Sequence, residues 1–277
     1  MLTGKTKNIG VIGCPIEHSL SPLMQNIAIT DSGLDYAYTA MLVHPHKLKE
    51  AIKGLQALNY RGVNVTIPHK IEVISLLDEI DENAKMIGAV NTILFEDNLI
   101  KGFNTDASGF INSLYNHMVK IKDEQAVLLG AGGAARAVIW GLIKAGIKSI
   151  VIGVRNPLKV QPLVDAFKDY LAIEAQDWTT DAFQSKLTDM SLLINATPLG
   201  MHPNLEEKPP IQWNKIKNRI VVYDLIYNPS ITKFLSEAQQ NGHKIMNGAE
   251  MLVEQGAESF KIWTGIMPNT KKMLQVL

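Results

Sequence analysis

The stretch 126–136, AVLLGAGGAAR, decides how the chain folds. Ala126, Val127, Leu128 and Leu129 form an apolar strand that runs straight into Gly130-Ala131-Gly132-Gly133-Ala134-Ala135. Residues 134–145 continue at helical spacing. A glycine turn between a strand and a helix suits a phosphate. Gly130 permits the tight turn, Gly132 lets backbone N–H groups approach a pyrophosphate, and Ala135 is a third small residue that allows close helix–strand packing. The helix N-terminus then offers unpaired N–H groups and the positive end of its dipole. A tight turn without a ligand shows the same spacing, but the strand–turn–helix context favours a dinucleotide.

The chain keeps alternating beyond this turn. Residues 149–153 (SIVIG), 192–195 (LLIN) and 220–224 (IVVYD) read as strands. Residues 158–168 and 230–241 read as helices, the second closed by Gly242 at its C′ position. Strands alternating with helices predict a parallel sheet with right-handed crossovers, here a Rossmann-type, doubly wound nucleotide domain in an α/β protein. An NAD site usually has Asp or Glu about 20 residues past the glycine turn, on the ribose 2′-hydroxyl. No acidic residue occurs from 131 to 164. Arg155 stands at the end of the second strand instead. Its guanidinium can face a 2′-phosphate or stack on adenine, so the expected cofactor is NADP rather than NAD. Taken alone, Arg155 is also compatible with a solvated loop arginine.

The first third alternates too. Residues 8–13 read as a strand, and Ser21-Pro22 as an N-cap with proline at the first helical position. Residues 36–43 are a strand, 46–58 an amphipathic helix, 62–67 a strand and 71–77 a helix. Residues 89–94 and 99–102 flank Glu96-Asp97-Asn98 as a hairpin. Residues 248–263 form one long helical pattern with Leu252, Gln255 and Ser259 on one face. Polar groups collect at the ends of these elements. In 64–70, NVTIPHK, Asn64 and Thr66 share one strand face, while Val63, Val65 and Ile67 take the other, toward the core. Pro68 ends the pairing and Lys70 follows. Ser19 and Ser21 place two hydroxyls beside a helix start, which suits a small carboxylate. Asn91 sits in GAVNT and Asp106 in GFNTDASGF. Read alone, Lys70 is equally a loop lysine and Asp106 equally an N-cap.

Composition removes several classes. The chain has 277 residues, 46% of them hydrophobic, enough for one large domain or two ordinary ones. Lys+Arg and Asp+Glu both number 27, so there is no net basic footprint and no nucleic-acid partner is expected. The single cysteine, Cys14, excludes an intrachain disulfide, and no Cys/His cluster has zinc spacing, so no metal is expected. No stretch approaches the ~20 apolar residues of a membrane span, and residues 1–13 lack a signal-type apolar region. The expectation is a cytoplasmic protein with a small-molecule substrate, no membrane partner, and a monomeric or homodimeric state.

The stretches VIGCPIEHSLSP, NVTIPHK, IGAVNT, GFNTDASGF, GAGGAARA, INATPLGM, VYDLIYNP and MLVEQGAESFKIWTG occur in that order between residues 11 and 265. Together they resemble the shikimate dehydrogenase family. The resemblance implies an N-terminal α/β substrate domain over 1–105, joined by the C-terminal helical segment 248–277, and an NADP-binding domain over 106–247. It implies an oxidoreductase that interconverts 3-dehydroshikimate and shikimate by hydride transfer, in chorismate and aromatic amino acid biosynthesis. The alternative is a quinate/shikimate dehydrogenase using NAD or both cofactors.

By the same resemblance, Ser19 and Ser21 hold the substrate carboxylate. Asn64, Thr66, Lys70, Asn91, Asp106 and Gln255 surround its ring hydroxyls, and Tyr227 also faces the substrate. Gly130, Ala131, Gly132, Gly133, Ala134 and Arg155 carry the cofactor phosphates and adenine end. Thr197 and Gly248 approach the cofactor, Gly248 near the nicotinamide. Ketone reduction needs a proton donor and alcohol oxidation a base, so Lys70 is expected to be the acid/base and Asp106 to orient it. His69 is read as structural, His18 as supporting the serines rather than catalytic, and Cys14 as a small buried residue. The chain departs from the family at Val154-Arg155-Asn156, where NADP-type members often carry Asn-Arg-Thr.

Overall fold

The computed structural model describes residues 2–277. It separates into one unit of Met1–Gly109 with Leu252–Leu277 and another of Phe110–Met251. Both divisions fall inside the first turns of helices, Asp106–Asn116 and Ala249–Thr264, rather than at their starts.

The first unit contains β1 (Lys7–Gly13), α1 (Ser21–Asp31), β2 (Tyr36–Leu42), α2 (Leu48–Ala57), β3 (Gly62–Val65), β4 (Glu79–Ile80), α3 (Glu82–Ile87), β5 (Thr92–Glu96), β6 (Leu99–Phe103) and the start of α4 (Asp106–Asn116). Its sheet is mixed, in the order β2-β1-β3-β5-β6-β4, with β2, β1 and β3 parallel and β5 antiparallel to both of its neighbours. The period of two divides its apolar residues between two layers. Ile9, Val11 and Tyr38 face Met24 and Ala28 of α1 and, from the C-terminal segment, Phe260 and Trp263. Ile12, Val63 and Val65 face Leu48, Ile52 and Leu55 of α2. The expected hairpin is present: Asp97 and Asn98 have φ of 53° and 62°, as a two-residue turn between twisted strands requires.

Three local expectations are corrected. The strand at 62–67 ends at Val65, and Ile67 is 63% exposed rather than in the core. The Ile67–Pro68 peptide is cis. His69 N–H donates to Thr66 O at 2.9 Å, so the chain turns there; Ile67 O still accepts the Cys14 N–H at 3.0 Å, but the Ile67 side chain is left outside the core. Ser21 is the first helical residue of α1 rather than its cap, and Ser19 Oγ accepts the Ser21 N–H at 3.3 Å. Residues 71–77 form a tighter 3₁₀ turn over Glu72–Leu76.

The second unit continues with β7 (Gln125–Leu129), α5 (Gly133–Lys144), β8 (Ser149–Val154), α6 (Gln161–Phe167), β9 (Ala172–Asp177), α7 (Asp181–Lys186), β10 (Leu192–Asn195), β11 (Val221–Asp224), α8 (Lys233–Gln240) and β12 (Lys244–Met246). The long helix α9 (Ala249–Thr264) follows, and α10 (Thr270–Leu274) ends the chain. The sheet is wholly parallel, in the order β12-β11-β10-β7-β8-β9. Its strand order reverses between β7 and β10, the switch point of a doubly wound nucleotide fold. Gly242 follows α8 at φ 81°, as a C′ glycine does. Among the described residues no helix is long and apolar enough to cross a membrane.

Candidate active site

The first unit brings Lys70, Asn91, Asp106 and Gln255 together. Lys70 stands just past the turn at Pro68, and its carbonyl accepts the Val90 N–H at 2.8 Å. That bond ties the 66–70 turn to the chain entering β5, beside Asn91. Lys70 Nζ donates to Asp106 Oδ2 at 2.5 Å. Their side chains are only 16% and 6% exposed. A shielded ion pair is tolerated when its remaining valences are also bonded. Asn91 Nδ2 supplies that bond, donating to Asp106 Oδ1 at 2.8 Å and to Gln255 Oε1 at 3.2 Å. The direction of the Asn91 amide is fixed, because its Oδ1 accepts from the Thr105 backbone N–H at 2.8 Å, a group that can only donate.

Asp106 is not the cap of α4. Asn104 Oδ1 accepts the Asp106 and Ala107 N–H groups at 3.0 and 3.4 Å, and Asn104 Nδ2 is anchored on Ala89 O at 2.9 Å. The Asp106 carboxylate is thereby released for Lys70. Asn64 is buried at the end of β3, while Thr66 is half-buried just beyond it. Ser21 is buried and Ser19 half-buried at the start of α1. His69 lies inside the core with Nε2 2.7 Å from Val43 O, a structural position. Cys14 is half-buried rather than fully buried, with Sγ 3.6 Å from His44 Nδ1.

The second unit carries the glycine turn. Gly130 has φ 101°, and a Cβ there would lie 2.9 Å from Thr197 Cγ2, so backbone conformation and packing both require glycine. Gly132 is different. Its φ is −79°, and a Cβ there would meet nothing within 4 Å. Neither the fold nor its packing needs glycine there. The N–H groups of the first turn of α5, at Gly133 and Ala134, have no acceptor within the helix, and a helix start of that kind suits a phosphate. Ala135 is wholly buried, as close helix–strand packing demands.

Arg155 is exposed just past the end of β8, and among the described residues it has no bonded partner. Asn156 caps the turn after it, accepting the Lys159 N–H at 3.4 Å. The carboxylate level with Val154 in the sheet, Asp177, is committed to Thr179, whose N–H and hydroxyl donate to it at 2.9 and 2.7 Å. The β8 end itself therefore presents a cation and carries no acidic residue of its own, which suits a 2′-phosphate.

Thr197 follows β10, where its hydroxyl donates to Asn195 Oδ1 at 2.7 Å. Asn195 donates in turn to Asp224 Oδ1 at 3.0 Å. Asp224 also accepts from Thr232 Oγ1 at 2.6 Å and Ile226 N–H at 3.1 Å. Burial pushes its carboxyl up to about 6, against those three bonds. This cluster anchors the loop that holds Tyr227, which is half-buried. Gly248 packs on the same loop: a Cβ there would lie 2.0 Å from Leu225 O.

Sequence reading missed several buried polar residues of the first unit. Thr92 and Ser259 are wholly buried, and Thr105 and Tyr38 nearly so. The signals were faint: Ser259 shares a helical face with Gln255, and Thr92 and Thr105 directly adjoin Asn91 and Asp106.

A shielded lysine–carboxylate pair in one unit and a doubly wound nucleotide sheet in the other define a two-domain α/β oxidoreductase. Residues 11–93 match the shikimate dehydrogenase substrate-binding domain, 113–233 the shikimate/quinate 5-dehydrogenase model, and 248–277 the shikimate 5′-dehydrogenase C-terminal domain. The shikimate dehydrogenase (NADP(+)) of Methanocaldococcus jannaschii is 45% identical over 274 residues, covering 99% of this chain and 96% of that one. A crystal structure of a shikimate dehydrogenase in complex with NADP+ superposes with a TM-score of 0.91 at 43% identity, covering 100% of this chain and 96% of that one. Shikimate 5-dehydrogenase from Listeria monocytogenes, in complex with shikimate and NAD, gives 0.92 at 32% identity, covering 99% and 97%. The chain belongs to the shikimate dehydrogenase family.

Proposed function

We propose that the protein catalyses the NADP-dependent interconversion of 3-dehydroshikimate and shikimate. The observation that carries this reading is the Lys70–Asp106 pair at 2.5 Å, braced by Asn91 and Gln255. The naming of the M. jannaschii relative for NADP supports the cofactor. When bound, the nicotinamide supplies or accepts the hydride.

The chain's own residues handle the substrate and the proton. Reduction of the ring ketone builds negative charge on oxygen, and Lys70 Nζ donates the proton that quenches it; in the reverse direction Lys70 accepts it. Asp106 orients the ammonium group and the reacting hydroxyl. Asn91 holds Oδ1 of that carboxylate, so Asp106 keeps one orientation through the cycle. Ser19 and Ser21 take the substrate carboxylate. Asn64, Thr66, Gln255 and Tyr227 supply the remaining polar contacts to the ring. Gly130, Ala131, Gly132, Gly133 and Ala134 receive the pyrophosphate, and Arg155 the 2′-phosphate. Thr197 and Gly248 line the path of the cofactor, Gly248 at its nicotinamide end.

Shikimate is preferred to quinate in this reading. Quinate adds a hydroxyl on the carboxylate-bearing carbon, and the M. jannaschii relative is named for shikimate. The test is a comparison of kcat/KM for shikimate and quinate, each with NADP+ and NAD+. Shikimate with NADP+ is expected to give the largest value. Equal or faster turnover of quinate with NAD+ would overturn the assignment.

A further inference from the structure

Adjoining the paired lysine and carboxylate is a second tier of buried polar groups, of which only Asn64 has been given a part in binding. Asn64, 7% exposed, is its centre. Its Nδ2 donates to the Asn91 carbonyl at 3.1 Å, a group that only accepts, so the amide has one orientation. Its Oδ1 must then accept, and the Tyr38 hydroxyl donates to it at 2.7 Å. At the other end, Ser259 Oγ accepts from Nδ2 at 2.9 Å. Ser259 gives its own proton to Gln255 O, one turn back in α9, at 3.0 Å. Its lone pairs are left facing Asn64 and the hydroxyls of Thr92 and Thr105, at 2.8 and 3.1 Å.

Tyr38 is held firmly. The parallel register sets it level with Ile9, Ile9 level with Gly62, and Val11 level with Asn64, all on the face toward α1 and α9. Gly62 leaves a gap that the Trp263 indole fills, since a Cβ there would sit 2.2 Å from Nε1. The Tyr38 ring lies against that indole, centroids 6.1 Å apart. β2 is an edge strand, and the Asn26 side chain bonds both outward backbone groups of Tyr38, at 3.1 and 2.9 Å. Burial holds the phenol far above its ordinary range, so it remains a donor.

We propose that Tyr38 and Ser259 are positioning residues that clamp the Asn64 amide, Tyr38 at its acceptor end and Ser259 at its donor end. The clamp fixes the Asn64 amide on the ring-hydroxyl side of the site. It rests on the proposed assignment of Asn64 to the substrate. Neither clamp residue is hydrogen-bonded to Lys70 or Asp106, and Ser259 reaches that pair only through Thr92, Thr105 and Asn91, so the effect falls on substrate alignment more than on proton transfer.

Tyr38→Phe removes one hydroxyl and keeps the ring; Ser259→Ala removes the other. Each is expected to raise KM for shikimate about tenfold, the scale of one lost buried hydrogen bond, with kcat and KM for NADP+ held within about twofold. On an Asn64→Ala background each is expected to add nothing further. A merely structural role would lower Tm and leave the two KM values in their wild-type ratio. A folded variant with an unchanged shikimate KM, or full additivity with Asn64→Ala, overturns the clamp. If one variant fails to fold, the other decides by the same readouts. Wild-type turnover of shikimate with indifferent variants defeats the clamp alone. Wild-type inactivity toward shikimate defeats the functional reading and the clamp with it.

Discussion

Lys70 Nζ lies 2.5 Å from Asp106 Oδ2, and the turn at Pro68 and the start of α4 supply one partner each. In so little solvent each charge depends on the other. Lys70→Ala is expected to lower kcat by about 10²–10⁴-fold with a smaller change in KM, as loss of a general acid–base group does. Lys70→Met keeps most of the apolar stem and removes only the ammonium group. Steady-state kinetics at saturating NADP+ and shikimate measure both. Near-normal kcat in either variant would remove Lys70 from the chemistry.

Gly132 separates ligand binding from folding. An alanine there has room and an ordinary φ. Gly132→Ala should keep Tm within about 2 °C, since exchanges of glycine and alanine at such sites are worth at most about 1 kcal/mol. Its KM for NADP+ should nevertheless rise at least about tenfold, because the methyl group occupies the phosphate's space. Gly130→Ala, at φ 101° and against Thr197, should instead lower Tm. Thermal melts beside NADP+ titrations distinguish the two. Unimpaired NADP+ binding by Gly132→Ala would mean that the pyrophosphate lies elsewhere.

Arg155 has no partner to lose among the described residues, so its replacement reports on the ligand. Arg155→Ala should raise KM for NADP+ by about 10–100-fold, the scale of one or two charge-assisted hydrogen bonds, and leave the NAD+ value within a few-fold. Parallel loss with both cofactors would assign Arg155 to adenine stacking and leave the 2′-phosphate without a partner.

What was legible in the sequence follows from how local each signal is. The glycine turn, the C′ glycine at 242 and the Asp97-Asn98 hairpin turn depend on backbone conformation at one or two residues, and each reads from those residues alone. β9, with its sequence AIEAQD, and β12, three residues long, form the two edges of their sheet and pack few apolar side chains, so their periodicity is weak. The short helices α3, α7 and α10 have too few turns to show a stripe. Ile67 was misassigned because alternation alone cannot say where a strand stops. Tyr38 sits in YAYTAML and reads as a core aromatic; its hydroxyl gains meaning only from Asn64, brought near by the β2-β1-β3 order. Ser259 likewise needed the docking of α9 on the first sheet.

Asp224 yields a prediction about pH. The residue is wholly buried, and burial raises its carboxyl from an ordinary 3.8 to about 6 despite donors from Thr232, Ile226 and Asn195. Between about pH 4 and 6 the folded protein therefore binds a proton that the unfolded chain has released. Stability contributed at this site falls as pH rises through that window, and the cost of the buried charge is complete above it. A carboxyl moved from 3.8 to about 6 corresponds to about 3 kcal/mol. Asp224→Asn has no charge to bury. Its amide oxygen can still accept from Ile226 and Asn195, and its amino group can donate to the Thr232 hydroxyl, which serves as acceptor instead. The Tm of the variant minus that of the wild type should accordingly rise between pH 4.5 and 7.5, by a few degrees, since about 2 kcal/mol of that energy is lost within this range. Calorimetric melts across that range measure it. A difference that stays flat, or that grows toward acid, would mean that the three hydrogen bonds outweigh burial and that Asp224 holds the Tyr227 loop as a stable anion.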